Sequence, residues 1–149
     1  GDIGYAQSNR ERYEGFCQAL MDAGKTPNPS LCLTTPLGID SYREEIDSFL
    51  SSLSRMPDAF VCASDYVACI LMQLLEKRGL RVPEDVAVSG FDNNIEDLLA
   101  ENLTTVQVFN EELGSRLALQ ILYRIKYPHT PHEVTYLESK VLYRASTGD

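Results

Sequence analysis

The chain has 149 residues, and a chain of that length folds as one ordinary domain that buries roughly 70% of its unfolded surface. Its 13 Lys and Arg residues against 22 Asp and Glu residues give a formal charge of −9, and no basic run appears, so this chain is not expected to bind nucleic acid by itself. The longest apolar stretches are far shorter than the roughly 20 residues of a membrane span, and no signal peptide opens the sequence, so no membrane partner is expected.

Short apolar runs alternate with helical stripes along the chain. This alternation predicts βα units around a mostly parallel, doubly wound sheet. Residues 2 to 5 read as the first strand. Residues 9 to 23 carry an apolar residue at every third or fourth position before Gly24, which supplies a stop, so they are predicted to form an amphipathic helix. A second strand is predicted over residues 31 to 35.

The middle of the chain continues the same alternation. Asp40 or Ser41 is placed to cap a second helix, whose apolar stripe lies within residues 46 to 53. Residues 58 to 63 form a continuous apolar run that is too short and too rich in strand-forming residues for a helix, so a buried strand is predicted there. A fourth strand is predicted over residues 86 to 91.

The last third of the sequence predicts a fifth strand over residues 103 to 109 and a long helix after it. Asn110 is the expected N-cap of that helix, because two glutamates follow it in the first turn. Residues 134 to 138 and 140 to 145 are two further strand candidates. No internal repeat or low-complexity linker divides the chain, so residues 1 to 149 are interpreted as a single lobe.

The helix predicted between Ser64 or Asp65 and Gly79 is apolar around nearly its whole circumference. Such a helix must be covered on two sides, either by another layer of the same chain or by a second molecule. The sequence leaves both arrangements open, and we favour an oligomer interface.

Four cysteines, Cys17, Cys32, Cys62 and Cys69, lie among apolar neighbours without C-x-x-C spacing. This usage is typical of free thiols in a reducing compartment, although the composition leaves a disulfide pair open. A cytoplasmic location is therefore expected.

Polar residues collect where the predicted strands end. In an open parallel sheet, the carboxyl ends of the strands form the crevice in which ligands bind. Arg12 follows the first strand, Ser64 and Asp65 follow the third, and Asp92 with two asparagines follows the fourth. A guanidinium, a carboxylate and neutral hydroxyl or amide groups suit a small polyhydroxylated or otherwise polar ligand. Each residue alone also has an ordinary role as a cap, a turn former or a solvated side chain, so the hypothesis depends on their convergence.

Catalytic and cofactor motifs are missing from the sequence. It contains no G-x-S-x-G elbow, no G-x-x-x-x-G-K-[ST] phosphate loop and no G-x-G-x-x-G fingerprint. The two histidines, His129 and His132, lie in a proline-containing connection, where solvated histidines are more common than metal ligands. Asp92 has no second titratable group spaced to act with it. We therefore expect no enzyme activity, no metal site and no cofactor.

Five motifs together resemble those of one protein family. They are IGY…RERYEGFxxAL at residues 3 to 20, PDAFVCASDYVA at 57 to 68, GLRVPEDVAVSGFDN at 79 to 93, LTTVQVFNEELG at 103 to 114 and YRASTG at 143 to 148. In this order and spacing they are similar to the effector-binding region of lactose-repressor/galactose-repressor (LacI/GalR) transcription regulators. The resemblance implies a type I periplasmic-binding-protein fold, in which two α/β lobes close on a sugar or a related small metabolite.

The resemblance also implies roles for individual residues. Arg12, Ser64 and Asp92 match positions that contact the effector, and Asn110 matches a position that can line the cleft. Asp65 matches an acid that starts a helix and is more structural than ligand-contacting.

In this family the all-round apolar helix packs across a twofold dimer interface, so a homodimer is expected. The implied interface residues, on that helix and in the loop beyond Asp92, are Tyr66, Cys69, Ile70, Gln73, Leu98 and Leu99.

The sequence departs from the family pattern in one respect. Family members carry a helix-turn-helix headpiece, a hinge and most of a first lobe before the IGY motif, and none of these is present here. The chain is therefore expected to be the carboxyl-terminal lobe of a larger regulator, with residues 110 to 132 packing on an absent first lobe and with DNA bound only through an absent headpiece. On its own this lobe is expected to bind its effector weakly, since half of the cleft wall is missing.

Two other functions remain open on the sequence. A periplasmic sugar-binding protein of a transport system shares the fold and is the main alternative. A small α/β enzyme would need a second titratable group beside Asp92.

Overall fold

A computed structural model describes residues 2–36, 38, 41–94 and 101–148 of the chain. In chain order the elements of these residues are α1 (Gln7–Asp22), a first 3₁₀ turn (Pro29–Leu31), α2 (Tyr42–Ser52), β1 (Ala59–Val61), α3 (Asp65–Lys77), β2 (Ala87–Ser89), β3 (Thr105–Gln107), α4 (Asn110–Lys126), β4 (Lys140–Leu142) and a C-terminal 3₁₀ turn (Ala145–Thr147). The βαβ order of β1, α3 and β2 is the unit that the apolar pattern predicted.

The strands form two pairs that are joined at the edge where the polar residues collect. β1 and β2 run parallel, whereas β3 and β4 run antiparallel. Single parallel bridges join Ser89 to Thr104 and Asp92 to Gln107, so the chain around β3 lies beside the chain around β2. The prediction of a mostly parallel α/β arrangement is confirmed, with β4 as an antiparallel addition.

The core lies around α3, which packs against α2 and β2. Leu75 of α3 is fully buried together with Val88 and Leu103. Cys69 and Ile70, which the family resemblance placed at a dimer interface, are 5% and 7% exposed and belong to this core. Packing within the chain therefore covers most of the circumference of α3.

The prediction of a strand over residues 2 to 5 is wrong, because this segment forms a turn. The Asp2 carboxylate accepts a hydrogen bond from Gly4 N–H at 2.7 Å. Such side-chain bonds to the backbone compete with strand pairing. One backbone hydrogen bond, from Ile3 N–H to Thr34 O at 3.4 Å, joins this turn to the segment of the second predicted strand.

Two further strand predictions are also wrong. Residues 31 to 35 begin in the first 3₁₀ turn, where the Asn28 side chain accepts Ser30 N–H at 3.1 Å and so favours a turn over an extended chain. Residues 134 to 138 form no strand. Of the two tail candidates, only the second contains a strand, β4.

The helix boundaries follow the predicted end signals with small differences. Gly24 and Gly79 follow α1 and α3 with φ of 71° and 72°, the left-handed conformation that closes many helices. Ser64 caps α3 by accepting a first-turn N–H at 3.4 Å. Asn110 is the first residue of α4 and not its N-cap, because Phe109 occupies the cap position.

The start of α2 differs from the capping that the sequence suggested. Ser41 precedes the helix, but its hydroxyl donates to the Glu45 carboxylate and caps no backbone N–H. The other predicted cap, Asp40, lies outside the described residues. The first turn of α2 therefore relies on contacts other than a serine cap.

α4 is a 17-residue helix whose apolar side chains stay exposed, and none of its residues is buried. Leu117 and Ile125, for example, are 60% and 72% exposed. Within the described part of the chain, no helix combines the length and hydropathy that crossing a bilayer requires. The apolar surface of α4 is therefore available to another partner.

A single buried serine joins the C-terminal turn to the strands. The Ser146 hydroxyl donates to Val88 O at 2.7 Å and accepts Thr104 N–H at 2.8 Å. Its own N–H donates to Asn102 O at 2.9 Å. This residue of the YRASTG motif thus pairs a carbonyl of β2 and an N–H group directly before β3.

Replacing Ser146 with Ala is expected to lower the free energy of unfolding by about 1–3 kcal/mol, since a buried carbonyl and a buried N–H both lose their partner. Urea denaturation followed by circular dichroism measures the loss. Ser48→Ala, at an exposed position of α2, is the matched control and should stay within about 0.5 kcal/mol of the parent chain. Equal stability of the two variants would show that the serine bridge is not needed.

Candidate functional site

The loop after β2 has a backbone conformation that few residues adopt. Asp92 has φ of 113° and Asn93 has φ of 51°. Such conformations cost on the order of 1–3 kcal/mol for most residues, and among residues other than glycine Asn and Asp tolerate a positive φ best. Asp92 N–H donates to Val106 O at 3.1 Å, which fastens the loop to the neighbouring strand. The sequence therefore places two residue types that tolerate a positive φ at this turn.

Arg12 reaches from α1 to the same edge. Its Nη1 donates to Ala63 O at 2.9 Å, and its Nη2 lies 3.8 Å from Asp92 Oδ1. Its guanidinium carbon lies 3.8 Å from the centroid of the Phe91 ring, which places the cation over the aromatic face. The structure thus brings together the two charged residues that the sequence singled out.

The ion pair between Arg12 and Asp92 is partly exposed to solvent, with side chains that are 31% and 29% exposed. A separation of 3.8 Å is too long for a direct hydrogen bond. Donors of the guanidinium and acceptors of the carboxylate therefore remain available to a ligand. The two opposite charges favour a polar ligand of no net charge, because neither sign dominates the edge.

The pKa of the Asp92 carboxyl is raised above its ordinary value. Partial burial is the main cause, the neighbouring carboxylate of Asp65 acts in the same direction, and the cation of Arg12 opposes both. The ionised form of Asp92 is therefore less favourable in the folded chain than in the unfolded chain.

The side chain of Asp65 lies beneath the exposed rim of this edge, which Arg12, Asp92 and Asn93 form, and is 2% exposed. It fixes the loop after β2. Its carboxylate accepts Asn93 N–H at 2.7 Å and the Thr105 hydroxyl at 2.6 Å, while its own N–H donates to Phe91 O at 2.8 Å. Gly90 passes so close that a Cβ there would collide with this carboxylate. Asp65 thus has the structural role that the family resemblance implied.

The other predicted contact residues lie at the edges of this arrangement. Ser64 adjoins Ala63, which Arg12 binds, and its hydroxyl oxygen caps α3. Asn110 is exposed at the first residue of α4, three positions beyond Gln107. Their roles toward a ligand stay predictions.

The predicted interface residues also fall into different environments. Tyr66 is 55% exposed and meets Tyr42 edge-on, with ring centroids 5.9 Å apart. Gln73 is partly buried and accepts a hydrogen bond from Arg43. Leu98 and Leu99 lie outside the described residues. Of the predicted set, Tyr66 offers the accessible apolar surface on α3.

Two residues of the rim were missed by the sequence reasoning. Gln107 accepts a hydrogen bond from Asn93 Nδ2 at 2.6 Å, and Arg144 donates to Asn93 Oδ1 at 2.8 Å. Gln107 stands at the carboxyl end of β3, so the rule for strand ends could have found it. Arg144 follows an antiparallel strand, to which that rule does not apply.

The described residues contain no group of three or more His, Cys, Asp or Glu that could hold a metal ion. The four cysteines are free thiols in the structure. An edge of parallel strands that presents one cation, one carboxylate and neutral amides defines the class of the protein as an α/β ligand-binding domain.

Comparison with known families agrees with this class. Residues 2–147 match the family described as the periplasmic binding protein-like domain. The chain therefore belongs to the periplasmic binding protein-like domain family.

The curated relatives of the chain are transcription regulators. The chain is 28% identical to the transcriptional repressor PurR of Photobacterium profundum, over 94% of its own length and 42% of the repressor. It is 34% identical to the regulator DegA of Bacillus subtilis, over 75% of this chain and 33% of the regulator. It is 30% identical to the ribose operon repressor of Haemophilus influenzae, over 92% of this chain and 41% of the repressor. The chain thus spans less than half of the length of these regulators.

Solved structures of LacI-family regulators share the fold. A regulator of this family from Sanguibacter keddieii superposes with a TM-score of 0.80 at 29% identity, over 95% of this chain and 53% of that one. The regulator CelR, solved as a cellobiose complex, gives a TM-score of 0.80 at 30% identity, over 93% and 42%. These matches confirm the resemblance to the effector-binding region of LacI-type regulators.

The raised pKa of Asp92 predicts a pH-dependent effect of Asp92→Asn on stability. Because the folded chain binds this proton more tightly than the unfolded chain, ionisation of Asp92 removes stability as the pH rises from the ordinary Asp range through the folded pKa. Asn cannot ionise, so the free energy of unfolding of the variant should rise relative to that of the parent chain across that pH window. Below the window the difference between the two should not depend on pH. Urea denaturation at a series of pH values measures the difference. A difference that is constant over the series would contradict the raised pKa.

Proposed function

We propose that this chain is the effector-binding and dimerisation part of a LacI-type transcription regulator that senses a sugar or a related small metabolite. The observation that carries the proposal is the ion pair of Arg12 and Asp92 beside the strand ends, 3.8 Å apart and partly exposed to solvent. Vicinal hydroxyl groups of a sugar can accept from the guanidinium and donate to the carboxylate at the same time.

The relatives support this class of effector. One of them is a ribose operon repressor, and a structural neighbour was solved with cellobiose. The net-neutral pair also favours an uncharged polyol over a strongly anionic or cationic metabolite. In this proposal Arg12 and Asp92 orient the effector, and Ser64 and Asn110 complete the polar lining.

Regulation follows from the way in which two lobes share one effector. We propose that residues 110 to 132 pack on a first lobe of the same polypeptide, which explains why Leu117 and Ile125 of α4 carry apolar side chains into solvent here. An effector that binds between the lobes favours one lobe arrangement, and that arrangement sets how helix-turn-helix headpieces are presented to an operator. Such a regulator acts in the cytoplasm, without enzymatic activity.

A periplasmic sugar-binding protein of a transport system would share the fold and the polar edge. The relatives favour the regulator, because PurR, DegA and the ribose operon repressor are all described as regulators or repressors.

The effector site is tested in a hybrid regulator, in which this chain replaces the matching region of the ribose operon repressor of Haemophilus influenzae. We expect reporter expression to respond to a member of a panel of monosaccharides and disaccharides. Arg12→Ala or Asp92→Ala should then raise the concentration needed for half response roughly tenfold or more, because a hydrogen bond to a charged group contributes about 1.5–3 kcal/mol.

Arg55→Ala and Asp58→Ala are the matched controls for this measurement. These residues form an ion pair of similar length, 3.9 Å, but their side chains are 86% and 98% exposed. The control variants should respond like the parent hybrid. An unchanged response of both site variants would refute the assignment of Arg12 and Asp92.

The dimer proposal now depends on the exposed face of α3 around Tyr66, since Cys69 and Ile70 are largely covered within the chain. Tyr66→Asp should convert the hybrid regulator from dimer to monomer, because a charge would be buried without a partner at the interface. Light scattering coupled to size-exclusion chromatography measures the mass. Tyr5→Asp changes an even more exposed tyrosine outside α3 and should leave the dimer intact.

A further inference from the structure

Asn93 is the residue through which the loop after β2 is fastened to the rest of the lobe. Its Oδ1 accepts from Arg144 Nη2 at 2.8 Å, and its Nδ2 donates to Gln107 Oε1 at 2.6 Å. Its backbone N–H donates to the buried carboxylate of Asp65 at 2.7 Å. The three partners are 51, 14 and 28 positions away in the sequence, so three separate segments meet at this residue.

The chemistry of the partners fixes the orientation of the Asn93 amide. Arg144 carries only donors, so it must face the carbonyl oxygen of Asn93. The amide nitrogen then faces Gln107 Oε1, and Gln107 Nε2 in turn donates to Val108 O at 2.9 Å. Each of these hydrogen bonds pairs a donor with an acceptor, whereas a flipped Asn93 amide would set its Nδ2 donor against the donor of Arg144.

The fixed residue lies directly after Asp92, whose own carboxylate has no direct hydrogen bond to Arg12 at 3.8 Å. The backbone, which has φ of 113° at Asp92 and 51° at Asn93, sets the direction in which the Asp92 side chain leaves the chain. Without an anchor on the second residue, this pair of unusual conformations has easier alternatives.

We propose that Asn93 is a positioning residue, which Arg144 and Gln107 clamp so that the Asp92 carboxylate points at Arg12. The inference rests on the proposed function, because that pair is the proposed contact of the effector. It assigns a supporting role to Asn93, Gln107 and Arg144. It also gives a role to Arg144 of the C-terminal YRASTG motif, which binds Asn93 from 51 positions away.

The test measures how strongly Arg12 and Asp92 interact, and it requires no effector. The Asp92 carboxyl carbon is followed by NMR during a pH titration of the full chain labelled with ¹³C-aspartate. Arg12→Gln removes the cation and should raise the pKa of Asp92, a change of several-fold in its acid dissociation constant. The same replacement is then made in an Asn93→Gly background, since glycine accepts a positive φ without the clamp.

In the Asn93→Gly background, we expect Arg12→Gln to change the dissociation constant less than half as much as in the parent chain. Asn94→Gly, at the next and exposed position, is the matched control and should preserve the full change. If Asn93→Gly does not fold, Gln107→Met replaces it, because this substitution removes the acceptor of Asn93 Nδ2 at similar size. A purely structural role of Asn93 would lower the melting temperature and leave the interaction unchanged.

The outcomes separate the two proposals. An equal effect of Arg12→Gln with and without the clamp overturns the positioning role and leaves the effector site standing. No effect of Arg12→Gln in the parent chain shows that the two charges do not interact, which overturns the positioning role together with the proposed site. Loss of the interaction in both Asn93→Gly and Asn94→Gly assigns it to the loop as a whole and likewise contradicts a specific role of Asn93.

Discussion

The buried carboxylate of Asp65 is the constraint on which the remainder of the edge depends. It ties the start of α3 to the loop after β2 through Asn93 N–H and to β3 through the Thr105 hydroxyl. A buried carboxylate is tolerated only when hydrogen bonds replace the water it has lost, and these donors do so. Because Gly90 carries no side chain, the loop can pass close enough for the bonds to form. The buried Asp65 carboxylate therefore fixes the loop that carries Asp92 and Asn93.

In front of this anchor, the pair of Arg12 and Asp92 combines fixed geometry with unused hydrogen-bonding capacity. Arg12 is held by Ala63 O and by the ring of Phe91, so its remaining donors project from a defined position. Asp92 is held by its backbone. A site of this kind discriminates between ligands by the arrangement of hydroxyl groups, because a hydroxyl in the wrong place leaves a charged group without a partner.

The sequence predicted the central βαβ unit well because its signals are local. Residues 58 to 63 form a short apolar run, Ser64 caps the next helix and Gly79 closes it, and each feature has one strong physical reading. The strands predicted at residues 2 to 5 and 31 to 35 failed because Asp2 and Asn28 bind nearby backbone N–H groups, an alternative that an apolar pattern does not reveal.

At the candidate site, the charged residues were predicted from the sequence, but the residues that hold them in place were not. Asp92 could be inferred because it follows a strand that the structure contains, and the rule of strand ends places it at this edge. Arg12 was inferred from a strand at residues 2 to 5 that does not form, and it reaches the edge from α1 instead. The clamp on Asn93 could not be inferred, since Arg144 reaches it from 51 positions away through a contact that no spacing rule encodes. Tertiary contacts of this range become visible only when the chain is folded.

The uncovered side chains of α4 have a practical consequence for handling the protein. Leucines and isoleucines in solvent attract one another, detergents and chromatography resins, whatever surface the native assembly uses. The oligomer size measured for this chain alone would then reflect contacts between exposed α4 helices. If α4 is covered first by the first lobe proposed above, the measured stoichiometry describes the native assembly.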